Sequence, residues 1–351
     1  MGRPRTIQGI RSVANRAKVS TATVSRALNN PDAVSPALRQ RIQTAIKDLG
    51  YIPQASARAL STRRTRTLGA IIPTIDNAMF ARGIEALQKY LATTGYMLLL
   101  ATNGYDLDVE LEQARNLVSR GVDGLILRGD CHHRELRELL VKYGIPHINA
   151  GVYLPDRPYP TVGVDNEAAA YRAMSYLIEL GHRNIGIVSA LQRNNDRAGA
   201  RVRGFRKALA DHKIALPDRW FIEVHYSLDQ AREAARQLIA MRSRPSGIVC
   251  GNDVIAYGIL LEAERNGISV PQQLSVVGFD DLEWSRHLRP SLTTIQAPTD
   301  VTWQRAGEYL VRHLSGEATL MHQELDFSLV IRESTAAAPK MSASVGLSTV
   351  K

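Results

Sequence analysis

Near residue 67 the spacing of apolar positions changes, from a helical period to short strand-sized runs that alternate with helical ones. Before that point, Ile10, Val13, Ala14 and Ala17 fall at 0, +3, +4 and +7, on one face of a first short helix. Lys18-Val19 makes a turn and Ser20 stands where an N-cap belongs, so Val24 and Leu28 at i, i+4 predict a second helix ending at about Leu28. Ser35-Pro36 opens a third, with Leu38, Ile42, Ala45 and Leu49 as its stripe and Gly50 as its stop. Strand-like runs then follow at Leu68 to Ile72, Tyr96 to Ala101, Gly124 to Leu127, His147 to Ala150, Thr161 to Val164, Ile185 to Val188, Trp220 to Val224, Gly247 to Cys250 and Ser275 to Phe279. Amphipathic stretches such as Phe80, Ile84, Leu87 and Leu91 separate them. This alternation predicts an α/β core of doubly wound parallel sheets, and the strands are too many for one sheet, so two similar lobes are expected. The chain thus reads as an α-helical helix-turn-helix headpiece followed by a two-lobed core.

Charge sharpens the division. Residues 1 to 66 carry 13 Lys/Arg against Asp32 and Asp48, a net +11, whereas the other 285 residues carry 31 basic and 32 acidic groups, net −1. A basic head on a neutral body is the electrostatic footprint of a polyanion binder. With Val24 and Leu28 facing inward, Thr21, Ala22, Ser25 and Arg26 share the outer face of the second helix. Arg26 can donate two bonds to guanine N7 and O6, Ala22 and the Thr21 methyl can meet a thymine methyl, and Ser20, Thr23 and Asn29 can reach phosphates.

Other chemistry is excluded or set aside. No run approaches the 18 to 20 apolar residues of a membrane span, and Met1 to Arg16 lacks the apolar core of a secretory signal, so a cytoplasmic protein without membrane attachment is expected. Cys131 and Cys250 are the only cysteines, too few for a disulfide framework. Cys131-His132-His133 is expected to be an exposed loop and not a metal site, because adjacent ligands rarely converge. Arg128-Gly129-Asp130 is read as a chance tripeptide. No Gly-x-Ser-x-Gly, Gly-x-Gly-x-x-Gly or P-loop occurs, so neither an enzyme nor a bound cofactor is expected.

The headpiece resembles the LacI/GalR (lactose-repressor) family of bacterial transcription regulators. The similarity is carried by Val13-Ala14, Val19-Ser20, Thr23 to Arg26 and Leu28-Asn29, and extends over nearly the whole chain. Gly9 and Ser12 depart from the family's Thr and Asp at the start of the first helix, and Gln54 from its usual Asn. The resemblance implies that Thr21 and Ala22 are variable base readers and Arg26 a shared one. It also implies that residues 51 to 66 hold a hinge helix that folds on DNA, with Ala57 and Leu60 against the minor groove and Leu60 wedged into it. The core would be periplasmic-binding-protein-like, with an N-lobe of about 67 to 164 and 296 to 326 and a C-lobe of about 165 to 293 and 327 to 335. Residues 336 to 351, Ala/Ser-rich and without a heptad, are expected to be a disordered tail.

In such sheets ligands bind beyond the strand C-termini, which makes polar residues there the cleft candidates. By resemblance Arg201, Asn252 and Asp280 are C-lobe ligand residues, Tyr226 is an aromatic that stacks on a sugar, and Asp76, Asn77, Phe80 and Asn103 are N-lobe candidates. Arg197 competes with Arg201 in a segment crowded with Arg, and Asp253 and Asp281 could instead cap helices. A guanidinium facing a carboxylate brackets vicinal hydroxyls, donor on one side and acceptor on the other. The expected protein is a homodimeric repressor of carbohydrate-use genes on a pseudo-palindromic double-stranded DNA operator, controlled by a sugar or sugar acid. The alternative is a solute-binding sensor or transport protein on the same core fold.

Overall fold

The computed structural model describes residues 9–52 and 64–339, in two compact units divided after Arg66. The expected hinge residues Ala57 and Leu60 lie outside the described residues.

The first unit is three helices: α1 (Ile10–Arg16), α2 (Thr21–Asn29) and α3 (Pro36–Leu49). Gly9 offers α1 no side-chain cap, as its replacement of Thr implies. Ser20 caps α2 by accepting from the Thr23 amide at 3.1 Å, and Gly50, at φ +58°, ends α3 in the left-handed conformation. Val13, Ala14, Ala17, Val24, Ala27, Ile42 and Ala45 form the core. Ala27, not Leu28, is the second fully buried residue of α2; Leu28 packs at the rim, because the face turned to α1 and α3 lies one position earlier than i, i+4 from Val24 predicts.

The second unit alternates strand and helix as the periodicity predicts. It begins with β1 (Thr67–Ile72), α4 (Ala78–Thr94), β2 (Met97–Thr102), α5 (Leu107–Ser119), β3 (Gly124–Arg128), α6 (Arg134–Tyr143), β4 (His147–Ala150) and β5 (Thr161–Gly163). After Val164 the chain enters a second sheet with α7 (Asn166–Glu179), β6 (Ile185–Ala190), α8 (Asp196–Asp211), β7 (Phe221–Val224), α9 (Leu228–Ile239), β8 (Gly247–Cys250), α10 (Asp253–Arg265), β9 (Ser275–Phe279) and β10 (Thr293–Gln296). It then returns through α11 (Thr299–Leu314) and β11 (His322–Glu324) to the first sheet, and ends with β12 (Ser328–Val330) in the second.

The first sheet, in the order β11-β5-β4-β3-β1-β2, is parallel throughout. The second, in the order β12-β10-β9-β8-β6-β7, is parallel except at its edge, where β12 runs antiparallel to β10. Thr293 to Gln296 is therefore a C-lobe strand and the crossing follows it. Each lobe has its own core: Phe80, Leu87 and Trp303 in the N-lobe, Phe205 and Phe279 under one face of the C-lobe sheet.

The C-lobe also runs past residue 335. Ala336 N donates to Ser275 Oγ at 3.1 Å and Ala338 N to Leu180 O at 2.9 Å, so residues 336–339 lie along the lobe rather than in a disordered tail. Backbone groups satisfied by the lobe hold them there. Residues 340–351 lie outside the described residues.

Candidate functional site

On α2, Thr21, Ala22 and Arg26 are exposed and Ser25 half-buried, a contiguous face of small and basic side chains. Two of the expected phosphate-reaching hydroxyls are partly committed: Ser20 Oγ and Thr23 Oγ1 lie 2.8 Å apart within the cap. Asn29, exposed at the end of α2, donates from Nδ2 to Ser25 Oγ at 3.3 Å.

The core site forms where the C-termini of both sheets face each other. Arg201, on α8, lies with its guanidinium 3.9 Å from the Phe279 ring centroid, donates through Nε to Asn166 Oδ1 at 3.2 Å, and also reaches the Gly251 carbonyl. Its Nη2 stands 3.9 Å from Asp280 Oδ1. Asp280 follows β9 at φ +109°, a strained conformation for a residue with a Cβ, and its Oδ2 has no partner. Burial pushes its carboxyl up to about 6, against the opposing pull of Arg201 and Arg128. Asn252 is fully buried and splits its amide: Oδ1 caps α10 by accepting from Ile255 N at 2.9 Å, while Nδ2 has no partner. The three C-lobe residues expected to hold a ligand thus come together with two orphaned polar atoms among them, which buried groups rarely leave without cause.

Asp253 and Asp281 cap nothing. Asp253 is buried, accepting from Thr294 Oγ1 at 2.6 Å and from Leu282 N and Ser285 Oγ at 2.7 Å each, and burial together with the Asp280 charge raises it to about 7. Asp281 pairs with Arg332 at 2.7 Å and accepts from Gln296.

On the N-lobe side, Asn77 caps α4 through Oδ1, leaving Nδ2 unpartnered, and Phe80 is buried beneath Arg128. Asp76 and Asn77 line a cavity of 270 Å³ between the lobes, shared with Tyr226 and with Tyr105. Asn103 is not among its lining; it accepts from Tyr105 N at 3.2 Å and so holds the turn that carries Tyr105 to Tyr226, 6.3 Å between ring centroids. A second cavity, of 580 Å³, is lined by Asp130, Asn166, Asp196 and Arg197 among others.

Sequence reasoning missed the residue at the centre. Arg128 ends β3, with Nη1 donating to Ala150 O at 3.2 Å, the guanidinium 5.7 Å from the Phe80 centroid, and Nε unpartnered. Gly151, at φ +86°, leaves room for it; a Cβ there would overlap the guanidinium. Arg197 donates to Arg128 O at 3.1 Å, Asp130 N to Asp196 Oδ2 at 3.0 Å, and Asn194 Nδ2 to Tyr105 O at 3.0 Å, three bonds that join the lobes. The tripeptide set aside as chance is thus the N-lobe's contribution to the cleft. Its signal was legible: a charged residue closing the buried run Gly124 to Leu127 stands at a strand C-terminus.

The Cys131 loop also departs from expectation. His132 is buried, with Nδ1 2.9 Å from Glu110 Oε1 and Nε2 3.1 Å from Gly129 O, and His133 caps α6. Glu110, buried on α5, draws the loop inward.

Comparison with known proteins agrees with both units. Residues 9–54 match the family model described as bacterial regulatory proteins, lacI family, and residues 174–335 a periplasmic binding protein-like domain. The HTH-type transcriptional repressor CytR of Escherichia coli (strain K12) is 32% identical over 336 residues, covering 94% of this chain and 97% of that protein. A transcriptional regulator CelR-cellobiose complex superposes with a TM-score of 0.69 at 26% identity, over 93% of this chain and 99% of that one. The Lac repressor dimer bound to operator and the anti-inducer ONPF superposes with a TM-score of 0.85 at 24% identity, over 95% of this chain and 100% of that one, a likeness of fold.

Proposed function

The chain belongs to the lacI family of bacterial regulatory proteins and is a DNA-binding transcriptional repressor with an effector-binding core, and we propose that it acts as a cytoplasmic homodimer on a pseudo-palindromic operator, released or retained according to a sugar or sugar acid held between the lobes. The observation that carries the reading is the pairing, in one chain, of an exposed Thr21-Ala22-Arg26 face with a buried cleft whose Asp280 and Asn252 keep unpartnered polar atoms.

Thr21, Ala22 and Arg26 read base edges from a face they share with Ser25, and Ser20, Thr23 and Asn29 position the helix on phosphates. Ala57 and Leu60 would act in the minor groove as hinge residues. In the core, Arg201 and Asp280 bracket vicinal hydroxyls, Asn252 Nδ2 supplies a further donor, and Tyr226 offers its ring face. The CelR-cellobiose complex supports a sugar-derived effector on this fold. A binding role suits the carboxylates better than acid-base catalysis: Asp281 spends its charge on Arg332, and Asp253 is saturated by Thr294, Ser285 and Leu282.

The test is selection of DNA from a random pool by the full chain, with and without a panel of sugars and sugar acids. A two-fold-related consensus should emerge, and Arg26→Ala should cost about 1 to 3 kcal/mol and relax one base pair in each half-site. Unselective DNA binding, or a consensus unchanged by Arg26→Ala, would defeat it.

A further inference from the structure

The cleft holds more positive charge than its own carboxylates can neutralise. Arg128, Arg197 and Arg201 converge on it, whereas the acidic groups beside them are Asp196, paired with Arg197 at 2.8 Å, and Asp280, 3.9 Å from Arg201. Arg128 is the one left over: its polar contacts are the Ala150 carbonyl and, at 3.9 Å, the Met79 sulfur, and no carboxylate pairs with it among the described residues.

We propose that this cleft takes a polyhydroxylated anion, its carboxylate or phosphate received by Arg128 and its hydroxyls by Arg201, Asp280 and Asn252. The inference rests on the effector-binding reading above and names the chemical class that fills that site.

A buried guanidinium without a counter-charge is costly, since removal from water is offset only by pairing. Burial and then the neighbouring Arg197 and Arg201 charges lower Arg128 to about 9, against a smaller opposing pull from Tyr105 and Asp280, the direction expected of a buried cation whose charged neighbours are mostly cations. Three further observations concern the ligand and not the charge alone. Asp280 is 3% exposed with Oδ2 unpartnered, Asn252 is 0% exposed with Nδ2 unpartnered, and Asn77, 5% exposed, keeps Nδ2 unpartnered on the N-lobe wall. An acceptor and two amide donors suit a polyol, and the unpaired guanidinium suits its charged end. A neutral sugar would satisfy the first set and leave Arg128 as it stands.

The experiment is calorimetry on the full chain with matched pairs: gluconate against sorbitol, glucuronate and galacturonate against glucose and galactose, glucose 6-phosphate as the phosphate arm, and inosine as a neutral nucleoside. At least one anion should bind on the order of thirtyfold more tightly than its neutral counterpart, the size of one charge-assisted hydrogen-bonded pair. Arg128→Gln should remove that preference, and Arg128→Lys, which keeps the charge, should retain most of it. Circular dichroism checks that each variant is folded. Tighter binding of sorbitol, glucose or inosine than of any anion, no anion binding at all, or an unchanged anion preference in folded Arg128→Gln would each overturn the proposal. The two readings fail differently. A neutral compound that binds and changes operator affinity removes only the anion assignment, whereas operator affinity indifferent to every compound of the panel removes the effector reading with it.

Discussion

Asp280 carries the cleft's most informative side chain because its charge is held against its surroundings. Its carboxyl stands at about 6 in the folded protein and near 3.8 in an unfolded chain, so between those values the folded state keeps a proton that the unfolded state has released. Stability contributed by this proton is present at low pH and is lost as pH rises through about 6. Asp280→Asn has no such term, so its melting temperature relative to the parent should climb from pH 5 to pH 8, by an amount equivalent to about 1 to 1.5 kcal/mol. Calorimetric melting at several pH values reads this; a constant difference would mean that Asp280 is as well solvated as a surface carboxylate. At this scale the sequence was a partial guide. Asn252 and Asp280 were legible from their positions just after strands, and Arg201 and Tyr226 only through the family resemblance. Arg128 obeyed the same rule yet was passed over, because its neighbours Gly129 and Asp130 made a familiar tripeptide. Tyr105 could not be foreseen: it reaches Tyr226 through a turn at Asn103 and Gly104 that places it across the cleft, and nothing in periodicity encodes a contact between lobes.

At the scale of elements, the legible ones had either a period or a cap. The strands from β1 to β9 announce themselves as apolar runs bounded by turn residues, α1 by its apolar period alone, and α2 and α3 also by Ser20, Ser35 and Gly50. The three-residue strands β11 and β12 are too short to show a period, and Thr293 to Gln296 reads as a connection although it pairs with β9 and β12. The cap on α2 matters beyond local stability, since it fixes the first turn from which Thr21 and Ala22 project. Ser20→Ala removes the acceptor for Thr23 N and should weaken the helix by about 1 kcal/mol. Hydrogen exchange on the full chain should show amides of α2 opening roughly fivefold faster while those of the core sheets stay as they were. Equal exchange in both would show that headpiece packing at Val24 and Ala27, rather than the cap, holds the helix.

For the whole molecule, control of DNA by a ligand in the core requires that cleft and headpiece be coupled through an assembly. One palindrome presents two half-sites, and a symmetric dimer meets both with identical faces. The N-lobe offers a surface suited to this. Its edge strand β2 lacks a neighbour on one side in the described sheet, and Met97 and Leu100 on it are 68% and 39% exposed. Apolar side chains on an open strand edge are a hazard unless a partner covers them. A second copy of this chain is the covering that the proposed pseudo-palindromic operator would call for. Met97→Lys with Leu100→Lys places charge on that edge at two positions already exposed to solvent, one on each face of β2, so each protomer should remain folded by circular dichroism. Sedimentation should then show half the parent's mass at micromolar concentration, and operator affinity should fall by at least tenfold as the half-sites come to be bound independently. Ligand affinity should persist in the monomer, because every cleft residue named above belongs to one chain. An unchanged mass would assign the dimer to another face, and a monomer with full operator affinity would show that the two headpieces do not depend on the core to meet.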